Sequence, residues 1–230
     1  MMKIIISVLF CLQLLYAQNY MDFYDLKECS YTSIKTKSTG WLEHTYLKDE
    51  NFDECYISVF ENITDIESIR YYPRSNFIGS KVAYGKIELC DQTFYFSGLD
   101  ILLHSQTFYM INHNGKRYLM LIGDMSGYNI NKYFIFDITD TKKIHFYQLD
   151  NHFYNDKIDS RVFGIFQNQL CFFAAQRVYD WNGEYFICPY VIQNNELKEL
   201  TDNNGINFRV YFLYNTKPKF EFKIINPVKK

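Results

Sequence analysis

Glycine and proline are scarce in this chain, with 10 and 4 occurrences among 230 residues. No stretch rich in glycine, proline or serine, and no block of like charge, interrupts the sequence after residue 17. Stretches of this kind commonly mark linkers between domains. Their absence predicts one globular domain over residues 18–230.

An excess of positive charge is also missing, because 24 Lys and Arg residues stand against 26 Asp and Glu residues, for a formal net charge of −2. Nucleic-acid binding relies on positive side chains that attract the phosphate backbone. The charge balance therefore argues against nucleic acid as a partner.

Local catalytic motifs are missing too. The sequence contains no HExxH, no CxxC, no GxSxG and no glycine-rich phosphate loop. These spacings bring together the groups needed for zinc, redox, acyl-transfer or phosphate chemistry. We therefore predict no cofactor and favour a noncatalytic protein, although catalytic groups that converge from distant strands would leave no such motif.

The N-terminus has the features of a cleavable signal peptide over residues 1–17. Lys3 precedes a mainly apolar run over residues 4–16, and small Ala17 is followed by polar Gln18 and Asn19. This order matches the three regions of a secretory signal, and the run is shorter than the roughly 20 residues that span a membrane. We expect export to the periplasm, the cell surface or the medium, without stable membrane insertion after cleavage.

An odd number of cysteines follows the signal. In an oxidising compartment, an odd count leaves at least one thiol unpaired or paired between chains. Small buried thiols are the simplest interpretation, and the sequence leaves any pairing open. The five residues are Cys29, Cys55, Cys90, Cys171 and Cys188.

Two Asn-Gly pairs predict tight β-hairpins. The turn at Asn114 and Gly115 would pair Ile111 with Tyr118, Met110 with Leu119 and Tyr109 with Met120.

The turn at Asn182 and Gly183 would pair Tyr179 with Phe186 and Val178 with Ile187. It would also place Cys188 opposite Arg177, which argues against a disulfide between Cys171 and Cys188.

Further turns are expected at residues 167–168 and 194–195, pairing Ile165 with Leu170 and Ile192 with Leu197, and a looser one over residues 139–142. Earlier strands are expected over residues 31–37, 41–47, 56–62, 82–90 and 93–97, and final strands over 208–214 and 220–225. Two short helices are predicted as well. One begins at Thr64, with Glu67 completing a capping box, and ends before Pro73; the other covers residues 99–104.

Several predicted strands are apolar on both faces, such as residues 133–136 and 170–173. Strands of this composition are covered on both sides. We therefore predict a mainly β fold, an antiparallel meander of successive hairpins in stacked sheets, either a sandwich or propeller-like. Residues 108–149 and 162–200 share an order of strands and turns, which consecutive hairpins of any meander would also produce.

Candidate site residues are few. Trp41 and Trp181 lie beside predicted turns, where an exposed ring could seat a ligand, although packing at a hairpin end is the simpler interpretation. His145, Asp150 and His152 could contribute to a metal site, although their spacing matches no known ligand pattern and a solvated polar loop is the simpler interpretation.

The leading hypothesis is an exported, noncatalytic β domain that binds a protein or a glycan, or has a structural role, in the cell envelope or outside the cell. One alternative is a secreted hydrolase whose site leaves no local motif. Another is an envelope-located inhibitor or immunity protein, for which a compact acidic β domain would be suitable.

Overall fold

The computed structural model describes residues 29–42, 52, 55–72, 84–97, 101–125, 130–152, 163–177, 184–205, 207–213 and 223–224. These residues form three antiparallel sheets and no helix, so the mainly β fold is confirmed. No helix in this part of the chain could cross a membrane. Ser30–Asp156 forms one compact unit and Lys157–Lys230 belongs to a second, and a single domain over 18–230 stays a prediction.

The first unit contains ten strands in two sheets. Sheet I has the order β1-β7-β8-β9-β10, and sheet II follows the chain from β2 to β6. The strands are β1 Ser30–Ile34, β2 Thr36–Leu42, β3 Cys55–Phe60, β4 Ser68–Tyr72, β5 Tyr84–Leu89, β6 Gln92–Ser97, β7 Ile101–His113, β8 Lys116–Met125, β9 Ile130–Asp137 and β10 His145–Asn151.

The core of this unit lies between the two sheets. Rings from opposite sheets meet there, with centroids 5.3 Å apart for Phe60 and Phe108 and 4.8 Å apart for Phe96 and Phe134. Aromatic side chains bury the largest apolar area per residue, and pairing across the core joins sheet I to sheet II. The expected stacking of sheets is therefore present in this unit.

Strands with two apolar faces are buried on both, as predicted. On β9, Phe134 and Phe136 enter the core between the sheets, while Tyr133 and Ile135 on the opposite face are also buried. The same holds for residues 170–173 of the second unit.

The two predicted helices are wrong. Residues 61–67 form bends, and the following β4 pairs with β3 and β5 and buries Ile69 and Tyr71 at the two-residue spacing of a strand. Residues 101–104 belong to β7, in which Ile101 pairs with Met125 of β8. Pairing and burial within a sheet outweigh local helix signals such as a capping box.

The second unit contains one sheet, whose strands are β11 Phe163–Phe166, β12 Gln169–Arg177, β13 Glu184–Gln193, β14 Glu196–Glu199, β15 Val210–Leu213 and β16 Lys223–Ile224. One side of β13 pairs with β12, and its other side pairs first with β15 and then with β14. Pro189, which has no N–H to donate, lies between the stretches that pair with β15 and β14. The apolar core includes Cys171, Phe173 and Val191.

Most of the predicted turns are present in the structure. The three pairs around Asn114 and Gly115 are confirmed, as are Ile165 with Leu170 and Ile192 with Leu197. Bends and turns also occupy residues 139–143. In the final predicted strands, β15 and β16 pair through Phe212 and Ile224.

The register predicted from Asn182 and Gly183 is wrong, and those two residues lie outside the described part. Ile187 pairs with Ala175, and Cys188 with Ala174 instead of Arg177. Cys188 and Ala174 are both buried, and the burial of a whole strand face fixes register more strongly than one turn. Cys171 and Cys188 are both free thiols, so no bridge joins them, although the register from which this was expected is wrong.

Candidate functional site

The outer face of sheet II is the face directed away from the core of its unit. Two rows of side chains cross β4, β5 and β6 on this face, because every second residue of each strand points outward. The intervening residues, such as Tyr71, Ile87 and Phe96, face the core. The first row contains Arg70, Glu88 and Thr93, and the second contains Tyr72, Lys86 and Tyr95.

Lys86 is a buried cation in the second row, with only 7% of its side chain exposed. Its Nζ lies 3.0 Å from Glu88 Oε1, 4.0 Å from the ring centroid of Tyr72 and 4.9 Å from that of Phe52. A carboxylate and two aromatic faces together compensate the loss of water around the ammonium group.

Glu88 is the central acceptor of the outer face. Besides Lys86, the Tyr72 hydroxyl donates a hydrogen bond of 3.1 Å to Oε2, and Arg70 Nη1 lies 3.8 Å from the same oxygen. The Glu88 side chain is 28% exposed. Its carboxylate is therefore held in one orientation while a ligand can still reach it.

Cys55 of β3 lies beside Tyr72 on the same face of the sheet, packs with Tyr72 and Phe52, and is almost completely buried. Burial raises the pKa of its thiol, an effect that a hydrogen bond with Tyr72 partly offsets. Burial also raises the pKa of Tyr72. Both groups keep their protons at neutral pH, which makes Cys55 a poor nucleophile because the thiolate is the reactive form.

Two exposed tyrosines border the buried cluster. Tyr95 is 60% exposed and Tyr84 is 37% exposed, and their ring centroids lie 5.6 Å apart at an interplanar angle of 67°. The Tyr84 ring rests edge to face on Phe52, at 5.5 Å. Exposed aromatic rings supported from below can stack on a ligand with little loss of side-chain freedom.

A groove of about 1010 Å³ adjoins the first row. Its walls come from the loop over residues 61–67, the turn between β5 and β6, and the turn between β9 and β10. This volume is at the upper end of small-ligand sites, which span roughly 300–1,000 Å³. Charged residues on its lining are Asp65, Glu67, Arg70, Glu88, Asp91 and Lys142.

Two side-chain bridges fix the walls of the groove. Arg117 of β8 makes a two-pronged ion pair with Asp65, in which Nη2 lies 3.2 Å from Oδ1, and the hydrogen bond from Arg117 lowers the pKa of Asp65. Gln92 Nε2 donates to the carbonyl of Thr141 at 2.9 Å, and Gln92 Oε1 accepts from the Ile144 amide at 3.1 Å. The three loops are therefore held in place before any ligand binds.

Cys90 also lines the groove, at the first position of the β5–β6 turn. Burial raises the pKa of its thiol, and the nearby carboxylates of Asp65 and Asp91 raise it further. This thiol too stays protonated at neutral pH.

The tryptophans proposed from sequence remain predictions. Trp41 lies on β2, where its backbone stands opposite Tyr56 of β3. Trp181 lies outside the described residues.

The residues considered for a metal site do not converge. His145 and Asp150 lie five positions apart on β10, so they belong to opposite faces of sheet I. Asp150 pairs with Lys132 at 3.1 Å, and His152 follows the end of the strand. Among the described residues, no group of three or more His, Cys, Asp and Glu side chains could hold a metal ion, so the metal hypothesis has no geometric support there.

A second polar cluster lies in the other unit, around Glu199 of β14. Arg209 reaches both of its carboxylate oxygens, with Nη2 2.7 Å from Oε2. Cys188 is completely buried beside it, and burial raises the pKa of this thiol. The Tyr190 hydroxyl accepts a hydrogen bond from Gln176. We interpret this cluster as structural because its thiol is inaccessible and its charges are paired.

Sequence reasoning did not find the outer face of sheet II. The available signal is the alternation in residues 84–89, where Lys86 and Glu88 alternate with Ile87 and Leu89. That pattern indicates a strand with one polar face. The convergence of β4, β5 and β6 follows only from the sheet.

Comparison of this chain with protein-family models, curated proteins and solved structures finds no match.

Proposed function

We propose that this chain is an exported, noncatalytic binding protein of the cell envelope or exterior, and that the groove and the outer face of sheet II form its binding site. The observation that carries the proposal is a polar groove with braced walls, whose lining residue Thr93 lies two residues from exposed Tyr95 on the same face of β6. Concave sites with a few fixed polar groups are typical of ligand binding, and an exposed ring beside such a site can add stacking. The signal-like residues 1–17 support export.

Binding is favoured over catalysis by the state of the reactive groups. Burial keeps the thiols of Cys55 and Cys90 protonated. The carboxylate of Glu88 is held by Lys86 and Tyr72. A general acid or base must exchange a proton with its substrate. The fixed contacts of the Glu88 carboxylate suit a hydrogen-bond acceptor that stays charged better than a group that exchanges a proton.

The test uses the full chain, expressed with its own N-terminus in its native cells. We expect the exported form to begin at Gln18 by N-terminal sequencing. A photo-crosslinking phenylalanine analogue is placed at Thr93, on the outer face, and in a second protein at Thr32, an exposed threonine of β1. We expect a covalent adduct from position 93 and none from position 32.

The same preparation separates this proposal from a secreted hydrolase. Incubation with soluble polysaccharides and with casein should release no fragments detectable by chromatography. Fragment release would replace the proposal with hydrolysis. Failure of position 93 to crosslink above position 32, or retention of the chain inside the cell, would also overturn it.

A further inference from the structure

We propose that the ligand of this site is an uncharged oligosaccharide, which stacks on Tyr95 and extends along the first row into the groove. This inference rests on the proposed function and adds the chemical class of the ligand. It follows from the aromatic surface, the hydrogen-bonding groups beside it and the charge balance of the lining.

The aromatic surface fits the apolar face of a pyranose ring. The Tyr95 ring is largely exposed, and contacts from Tyr84, itself packed on Phe52, restrict its movement. A sugar presents C–H groups on its ring faces, which pack against the electron-rich face of an aromatic ring.

The hydrogen-bonding groups fit the hydroxyls at the edge of such a ring. Thr93 lies two residues from Tyr95 on the same face and directly opposite Glu88, a separation of roughly 7 Å along the strand. The same row offers the Glu88 carboxylate as acceptor, the Arg70 guanidinium as donor and the Thr93 hydroxyl as both. Sugar hydroxyls both donate and accept, so each group finds a complement.

The charge balance favours a neutral ligand. Asp65 is paired with Arg117, and Glu88 is compensated by Lys86 and Arg70. The lining also carries Glu67, Asp91 and Lys142, so the four acidic and four basic side chains of the site balance. A site without net charge gives no electrostatic advantage to a sulfated or uronic-acid polymer and little steering for a strongly basic protein.

The test is native affinity electrophoresis of the full exported chain in gels that contain soluble mixed-linkage β-glucan, xylan, glucomannan or galactomannan. Heparin serves as the polyanion. We expect at least one neutral polysaccharide to retard the protein and heparin not to do so. Tyr95→Ala should lower the affinity for that polysaccharide, calculated from the retardation, about threefold to tenfold, as expected for the loss of one stacking ring.

Tyr31→Ala is the matched control. Tyr31 is a 52% exposed tyrosine that packs against Tyr109 in sheet I, with centroids 5.9 Å apart, so its loss should leave the retardation unchanged. Thr93→Val, which keeps the shape of the side chain and removes the hydroxyl, should also weaken retardation. Thermal unfolding of each variant verifies that its fold is intact.

Three results would overturn the proposal that the ligand is an uncharged oligosaccharide. They are the absence of retardation in all four neutral polysaccharides, equal effects of Tyr95→Ala and Tyr31→Ala, and stronger retardation by heparin. If position 93 still crosslinks to a protein in any of these cases, the binding function stands and its ligand is a protein. If position 93 crosslinks to nothing, both proposals fail together.

Discussion

Gly85 lies on β5 directly opposite Phe96 of β6, and the phenyl ring covers its Cα. A Cβ at this position would lie 1.9 Å from Cζ of Phe96. The ring cannot move aside easily, because it stacks on Tyr71 at 5.6 Å and packs on Phe134 at 4.8 Å. The glycine is therefore required by the packing of a neighbouring strand, which no local sequence pattern reveals.

We predict that Gly85→Ala lowers the free energy of unfolding by at least about 1–3 kcal/mol, the usual cost of overpacking a core. Urea denaturation measures the change. Combining it with Phe96→Leu should recover part of the loss relative to the sum of the single variants, because the smaller side chain makes room for the methyl group. Strict additivity of the two substitutions would contradict this explanation.

Two-residue turns connect four of the hairpins, and both turn residues have positive φ in each. Asn114 and Gly115 carry the residue types that favour this conformation, and their local signal predicted the register. The β5–β6 turn uses Cys90 and Asp91 instead, at φ values of 48° and 59°. This pair is a weak turn signal, and only approximate strand bounds could be predicted around it.

We predict that introducing glycine at the second position of one turn stabilises the protein, and that removing glycine from the same position of another turn destabilises it. Asn195 has a φ of 59°, so Asn195→Gly should stabilise the protein by about 0.5 kcal/mol, because relief of left-handed strain exceeds the entropy cost. Gly115→Ala should destabilise it by about 1 kcal/mol, since Gly115 has a φ of 76° and open space around it. Denaturation midpoints measure both, and shifts in the same direction would contradict the explanation.

The errors at the level of elements have one physical cause. The Thr64 capping box and the pair Asn182 and Gly183 are local signals, and in each case the buried face of a strand decided the outcome. β4 forms because Ile69 and Tyr71 fill the core, and β13 takes its register from buried residues such as Cys188. The candidate site was missed for the same reason, since its rows exist only after three strands have paired.

At the scale of the molecule, tyrosines and thiols are buried in both described units, and burial raises their pKa values. The pKa of Cys171 rises to about 12. Burial raises the pKa values of further groups in both units, namely Tyr72, Tyr109, Tyr118, Tyr133, Tyr147, Tyr190, Cys55 and Cys188. The abundance of tyrosine was visible in the composition, but its effect on stability depends on which rings the fold buries.

Alkaline pH should therefore unfold the protein cooperatively. A raised pKa means that stability is complete below the pKa of the unfolded chain, about 8.5 for Cys and 10 for Tyr, and is lost as pH rises above it. Each such group contributes a slope of about 1.4 kcal/mol per pH unit in that range. We expect tyrosinate absorbance and loss of β circular dichroism to change together above about pH 10.

Tyr147→Phe tests this explanation at one site. The Tyr147 hydroxyl is buried without a hydrogen-bond partner among the described residues. Its removal should not destabilise the protein at pH 7, because folding no longer carries the cost of desolvating that hydroxyl, roughly 1–3 kcal/mol. The variant should also unfold at a higher alkaline midpoint, because one group that ionises only on unfolding is gone. A gradual rise of tyrosinate absorbance in a protein that keeps its circular dichroism would show that these rings ionise in place, and burial would then not control the alkaline limit.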